Sequence, residues 1–313
     1  MNLNKDKSSW NVGIYLLEGR IYVVKNKNFW VIAFIAPTVL LFTIIFALPL
    51  VTVFVTAFCN YTPFQSPVFA GIDNFKTLFI NNSDFWKAIS NTTIWILLQT
   101  TLSISFGILV ALLLYRKPFG WKFVRASYMI PNIIPTAATG LMFYLLQNPD
   151  LGIVKSIFVA LGKGDLTPNL FGNSSYTFIT VTCTWIFYSA FNTILIMSEI
   201  GTIPTEVFES AKVDGASRFQ VDLFITLPML RNILTTCVIL AAVSMISQFD
   251  ILYITTKGGP DNTTLNLPIY LFKTANLEMN YGLANAIGVV QIIFGLFLVF
   301  SIGKIFKFGK KNE

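Results

Sequence analysis

The chain has no histidine among its 313 residues and little charge of either sign, 12% of the total. Without histidine it lacks the commonest general base near neutral pH and the commonest metal ligand. Soluble globular domains carry about 25% charged residues, so half of the charge that would cover a solvated surface is missing. Cysteine is sparse too. Cys59, Cys183 and Cys237 lie far apart with no C-x-x-C pair, which makes neither a disulfide framework nor a metal site. They read as small apolar fillers in helices. No G-x-x-x-x-G-K-[ST] run occurs, because Gly162-Lys163-Gly164 lacks the first glycine and the hydroxyl residue, so nucleotide phosphates are not cradled by that device. No buried carboxylate pair faces a base, which leaves a membrane hydrolase little to work with.

What is present is apolar sequence in blocks. Hydrophobic residues make up 54% of the chain, and the mean hydropathy is +0.67. Charge-free runs cover Phe29–Phe58, Ala88–Tyr115, Ala126–Pro149, Leu166–Ser198, Asn232–Phe249 and Met279–Gly303. A helix needs about 20 apolar residues to cross the hydrocarbon core, and each run supplies them once the fifth extends through Asp250 to Tyr253. The expected fold is an all-α polytopic membrane protein with six transmembrane helices over residues 29–308, and a basic tail at 309–313. Ahead of it, Trp10, Ile14, Leu17, Ile21 and Val24 recur at spacings of 4, 3, 4 and 3 beside Lys5, Lys7, Arg20, Lys25 and Lys27. That pattern predicts an amphipathic interfacial helix within residues 1–28, the alternative being a disordered basic tail. A cleaved signal peptide is not expected, since the first long apolar segment starts near residue 29 with no small-residue cleavage site.

Orientation follows from alternating loops. Of the 22 Lys and Arg residues, sixteen fall in the tail to residue 28, the 116–125 and 199–231 loops and the C-terminus from 304. The other six are Lys76, Lys87, Lys155, Lys163, Lys257 and Lys273. This bias predicts both termini in the cytoplasm. The net charge of +7 is thereby a topology signal directed at membrane lipid, and no basic face for nucleic acid stands outside the membrane flanks.

The loop Ile203–Pro228 carries the strongest local pattern. Thr205 is placed to cap a helix, and Glu206 and Glu209 suit its positive end. A short helix through Val207, Phe208 and Ala211 should break at Gly215, a residue suited to the left-handed conformation that ends helices. The chain then restarts at Ala216–Phe219 and reaches Leu227-Pro228 at the next membrane entry. Periodicity alone leaves open whether this bracket docks on a partner or packs on its own bundle.

Here the residues match a known family. Glu209-Ser210-Ala211, Asp214-Gly215-Ala216 and Ile225-x-Leu227-Pro228 resemble the EAA motif of ABC-importer permeases, the coupling loop that docks into an ATPase subunit. Ser210 stands where alanine is usual, and Asp222 where an aromatic is common. Phe34-Ile-Ala-Pro37 with Leu48-Pro49 resembles the first helix of carbohydrate-type permeases. Gly71–Phe79 followed by Phe85-Trp86 to Asn91 is similar to their first external loop, and Phe249–Tyr253 with Gly258-Gly259-Pro260 to their helix-five exit. Tyr281-Gly282-Leu-Ala-Asn-Ala286 resembles the start of their last helix. The resemblance covers residues 29–303, with maltose- and glycerol-phosphate-type permeases as the nearest group. It implies a non-catalytic subunit of the bacterial cytoplasmic membrane with no cofactor of its own. Its implied partners are a second, different permease subunit, two ATPase subunits that carry ATP and Mg²⁺, an external solute-binding protein and a carbohydrate substrate. The competing classes are a stand-alone secondary carrier or channel and a membrane enzyme. Ion coupling usually keeps ionisable groups within spans, and the candidates here are Asp250 and Glu199 alone, each near a span end.

A sugar path needs hydrogen-bonding side chains and aromatic faces. The fourth span offers Trp185, Tyr188 and Asn192 at spacings of 3 and 4; the fifth offers Ser244, Ser247 and Gln248, with Asp250 beyond. By resemblance these spans flank the translocation path, whereas the alternative is that these groups tie helices together. Asp250 could instead bond locally to the turn before Gly258-Gly259-Pro260. Pro37, Pro49, Pro131 and Pro135 are either gating bends or static kinks, and Gly107, Gly140, Gly288 and Gly295 read as close-packing positions.

Overall fold

A computed structural model describes residues 12–17, 20–25, 27–186 and 189–306. The tail 309–313 therefore lies outside the described residues. The chain divides into two units, Met1–Val55 and Thr56–Glu313.

In the first unit, β1 (Val12–Leu17) pairs antiparallel with β2 (Arg20–Lys25), in a register that sets Leu17 opposite Arg20 and Val12 opposite Lys25. This corrects the expected interfacial helix. The segment is dense in Val, Ile and Tyr, which favour the pleated strand. A stripe at spacings of 4 and 3 does not outweigh β-branched and aromatic residues on both sides of the short Glu18-Gly19 link. The long apolar helix α1 (Phe29–Thr56) follows.

The second unit opens with a short hairpin, β3 (Cys59–Thr62) and β4 (Gln65–Phe69). Then come α2 (Asp73–Asn81) and the long α3 (Ser83–Tyr115). Asn82 caps α3 by accepting from the Phe85 amide at 2.8 Å. The third and fourth apolar runs are not single helices. The third is α4 (Trp121–Ile133) and α5 (Thr136–Leu146), bent by 98°. Proline disfavours the α region for the residue before it, and Ile134, ahead of Pro135, is extended at φ −73°, ψ 132°. The fourth begins with a loop, winds α7 (Ser174–Cys183) after the short α6 (Ile153–Ala160), and resumes as α8 (Ala190–Ile200). The link between them, 184–189, is rich in aromatic and β-branched residues, which lose side-chain freedom in a helix.

The coupling-type loop holds α9 (Thr205–Val213) and α10 (Arg218–Val221), the latter continuing through a π-helical turn at Asp222–Thr226. The remaining long helices are α11 (Arg231–Thr255) and α13 (Tyr281–Ile305), with α12 (Leu267–Asn276) between them. Among the described residues, four helices (α1, α3, α11, α13) are long and apolar enough to cross a membrane, or five with the bent α4–α5 pair. The six helices expected from the apolar runs are thus represented by four or five candidate spans among the described residues, because an apolar run records composition and is blind to a backbone break inside it.

The core of this unit joins α3, α8 and α11 through Ile104, Ala111, Ile196, Ile200, Leu230, Cys237 and Ala241. Gly107 lets α3 approach closely: a Cβ there would sit 3.3 Å from the Ser189 Cβ and 3.6 Å from the Asn192 Cβ. Gly140 does the same for α5 against Ile251, whose Cα would lie 3.2 Å away. The buried Trp95 stacks on Phe178 at 4.7 Å and 3° and donates Nε1 to Thr182 Oγ1 at 2.8 Å, which ties α7 to α3.

Candidate functional site

The segments that resemble family motifs at the Ser83 end of α3 turn out to build one polar frame. Asn74 donates from Nδ2 to the Ala57 and Cys59 carbonyls at 2.8 and 2.9 Å. Asn91 donates to the Thr263 and Leu265 carbonyls at 3.0 and 2.8 Å, and Asn285 donates to Thr56 Oγ1 at 2.7 Å. Gly282 faces this frame so tightly that a Cβ would lie 2.1 Å from the Cys59 carbonyl oxygen. Tyr270 belongs to the same end; burial raises its hydroxyl pKa above the ordinary 10.0, and it accepts a hydrogen bond from Asn82. These residues fasten loops to helices.

Below the frame, a cavity of about 160 Å³ opens where α3, the α4–α5 bend, the α7–α8 link and α11 meet. Gln99, Asn132, Thr136, Thr139, Trp185, Ser244 and Gln248 supply its polar lining, and no charged residue lines it. Two of the lining residues also carry a buried polar atom without a partner, the Trp185 Nε1 donor and the Gln99 Oε1 acceptor, which a small turn of either side chain would bring to the cavity. A buried polar group without a partner costs about 1–3 kcal/mol, so this cavity is matched to a guest that both donates and accepts. Gln99 also begins the π-helical turn Gln99–Ser103, and such single-turn bulges cluster at functional sites. The Gln248 backbone is held from behind, because its carbonyl accepts from Asn266 Nδ2 at 2.5 Å.

The sequence-named path residues separate into groups. Trp185, Ser244 and Gln248 converge on the cavity. Asn192 is buried against Gly107 and stands outside the lining, and Ser247 is exposed with its hydroxyl turned back to the Val243 carbonyl at 2.8 Å. Asp250 accepts from Thr136 Oγ1 at 2.5 Å, bridging α11 to α5 beside the cavity; the local bond to the Gly258 turn is not made. Tyr188 lies outside the described residues. Gln99, Asn132, Thr136 and Thr139 escaped the sequence reading. Gln99 had a visible signal, an amide in the charge-free run Ala88–Tyr115, whereas the other three needed the bend to come together.

The bracket 203–228 has the expected break. Gly215 adopts φ +78°, the Ala216 amide reaches the Ala211 carbonyl at 3.0 Å and the Gly215 amide that of Lys212 at 3.2 Å. This pair of bonds is the Schellman end of α9. α10 restarts on a capping box that the residues Ser217-x-x-Gln220 spell out: Ser217 Oγ accepts from the Gln220 amide at 3.3 Å, and Gln220 Oε1 accepts from the Ser217 amide at 2.7 Å. Pro204, not Thr205, occupies the cap position of α9, and Thr205 is its first helical residue. Proline suits that edge because the amide it lacks has no intrahelical partner there. Of the remaining motif residues, Ala211 is buried, while Glu209, Ser210, Asp214 and Pro228 are exposed, and Ala216 and Leu227 are half-buried. Asp222, the second of the two departures from the family pattern, pairs with Arg116 just beyond the end of α3.

Comparison with known proteins now bears on this geometry. Residues 103–309 match the family model for the binding-protein-dependent transport system inner membrane component. The multiple sugar-binding transport system permease protein MsmF of Streptococcus mutans is 30% identical over 293 residues, covering 93% of this chain and 98% of that protein. The trehalose/maltose transport system permease protein MalF of Thermococcus litoralis is 28% identical over 235 residues, covering 75% and 78%. A chain in the crystal structure of a bacterial ABC transporter that imports the acidic polysaccharide alginate shares the fold, with a TM-score of 0.79 at 21% identity over 91% of this chain and 97% of that one. The chain is thus a multi-pass membrane protein and belongs to the family of binding-protein-dependent transport system inner membrane components.

Proposed function

We propose that this chain is the permease subunit of an ATP-driven, binding-protein-dependent importer for a carbohydrate, most simply a neutral oligosaccharide. The observation that carries this reading is the uncharged cavity lined by Gln99 and Trp185, whose Oε1 and Nε1 have no protein partner. A sugar hydroxyl both donates and accepts, so it satisfies the two together and recovers what the sugar loses on leaving water. The indole face of Trp185 also suits the flat apolar side of a pyranose. The relatives named for multiple sugars and trehalose/maltose support the substrate class.

In this reading the α4–α5 pair and the α7–α8 pair each count as one broken crossing, which with α1, α3, α11 and α13 makes six. Irregular backbone is tolerated at membrane depth where it lines a cavity, and both breaks do so. The Lys and Arg bias sets both termini and the 203–228 bracket in the cytoplasm of a bacterial inner membrane. There Glu209, Ser210, Ala211, Asp214, Gly215, Ala216, Leu227 and Pro228 form the element that enters one of two ATPase subunits, which bind ATP and Mg²⁺. A second permease chain completes the path, and a solute-binding protein delivers the sugar from outside.

The test is uptake of radiolabelled oligosaccharide by cells carrying the full importer. Gln248→Leu should cut the rate several-fold with ATPase subunits still co-purifying, since a leucine leaves facing polar groups unmatched. Parental uptake by that variant would move the path elsewhere, and uphill transport by the purified chain alone would establish a stand-alone carrier instead.

A further inference from the structure

A larger cavity, about 610 Å³, lies between the Tyr115 end of α3 and the inner side of the 203–228 bracket. Its wall carries Arg116, Lys212 and Arg218 against the single carboxylate Asp222. Asp222 is already engaged by Arg116, and among the described residues neither Lys212 nor Arg218 has a carboxylate partner. The rest of the lining is mostly apolar, with Leu112, Ile200, Phe208 and Val221, beside the hydroxyls of Tyr115, Ser217 and Thr226. Two unneutralised cations over an apolar floor fit an amphiphile with one anionic group.

The place of this cavity narrows the choice further. α3 is a membrane-length helix that ends at Tyr115 and is followed by Arg116 and Lys117, so the orientation proposed above sets the cavity beside the cytoplasmic headgroups. On α9, Phe208 and Lys212 share the face toward the cavity, one turn apart. Glu206, Glu209 and Val213 project from a separate, exposed face, Val213 being 87% exposed. The face of α9 left for a protein partner is therefore not the one that lines the cavity, and of the coupling residues named above only Ala216 reaches its wall.

We infer that this cavity binds the phosphodiester headgroup of an anionic phospholipid, with Lys212 and Arg218 donating to the phosphate oxygens and the glycerol backbone resting on Leu112 and Ile200. Guanidinium and ammonium groups bind phosphate through charge-assisted hydrogen bonds, and polybasic sites beside membrane helices select acidic lipids. A lipid held here spans the end of α3 and both arms of the bracket. The site rests on the membrane placement of α3 and is independent of the identity of the transported solute.

The experiment is native mass spectrometry on the full-length chain with its co-purifying subunits, delipidated and titrated with phosphatidylglycerol or with phosphatidylcholine of the same acyl chains. One phosphatidylglycerol per chain should bind well above the level of phosphatidylcholine. The double variant Lys212→Gln/Arg218→Gln should weaken it about thirtyfold, from two surface charges, and leave phosphatidylcholine unchanged. Equal retention of the two lipids by the parental protein overturns the proposal without recourse to any variant. So does parental phosphatidylglycerol binding by the double variant. In a parallel arm, protection against heat by inorganic phosphate with no preference between the lipids would replace the lipid by a free anion. Loss of the lipid whenever ATPase subunits are present would assign the cavity to them.

Discussion

Gly215 offers the cleanest separation between a conformational requirement and a contact. Its φ of +78° lies in the left-handed region, and no atom stands within 4 Å of the place a Cβ would occupy. A side chain there meets open space, so the whole cost of substitution is backbone strain. The left-handed conformation costs an L-residue about 1–2 kcal/mol, asparagine less because it visits that region several-fold more often, and a β-branched residue more. Gly215→Asn should therefore be nearly silent, Gly215→Ala should shift the bent form by about five- to thirtyfold, and Gly215→Val should exceed both. Because the Schellman bonds of Gly215 and Ala216 join α9 to α10, the loss should appear as reduced substrate-stimulated ATP hydrolysis by the assembled importer. Insertion of the bundle, whose core lies among α3, α8 and α11, should persist in all three variants. Valine coupling as well as glycine would refute the reasoning, and so would asparagine failing as badly as valine, since size rather than φ would then decide.

Other consequences are open to measurement. Gly282→Ala should lower the yield of folded protein, read by size-exclusion chromatography in mild detergent, because its Cβ would lie 2.1 Å from the Cys59 carbonyl and neither backbone can yield cheaply; a parental elution profile contradicts this. Trp95→Ala should destabilise by about 3–5 kcal/mol through the lost stack on Phe178 and the lost bond to Thr182, seen as an earlier thermal transition, with Trp95→Phe intermediate. Cysteine introduced at residue 165 should react with an impermeant reagent from outside the cell and one at residue 120 should not; the opposite pattern reverses the proposed orientation.

Much of this protein is legible from local chemistry. Apolar runs free of charge mark helix-forming membrane sequence from composition alone, and Gly215 marks the end of α9 because a left-handed residue is a property of one position. Ser217 and Gln220 would have marked the restart of α10 for the same reason. The breaks were readable only in part. Pro135 acts on its neighbour Ile134 by a local steric rule, yet a count of apolar residues passes over it. The N-terminal stripe shows the opposite failure, a helical spacing overridden by strand-forming residues at nearly every step.

What the sequence by itself determined is where helices can form and turn, since those choices depend on residues within a few positions of one another. Tertiary structure alone decided which polar groups meet. Gln99, Trp185 and Gln248 belong to separate apolar segments, and they face one cavity because Gly107 and Gly140 let helices close on Ser189 and Ile251 and because Asn91 and Asn266 anchor the loops above. Asn192 shares a helical face with Trp185 in the sequence, yet the break between α7 and α8 cancels that shared face and leaves Asn192 packed on Gly107. Helical spacing transmits direction only along unbroken helix, so here the fold, rather than the period, chose the lining.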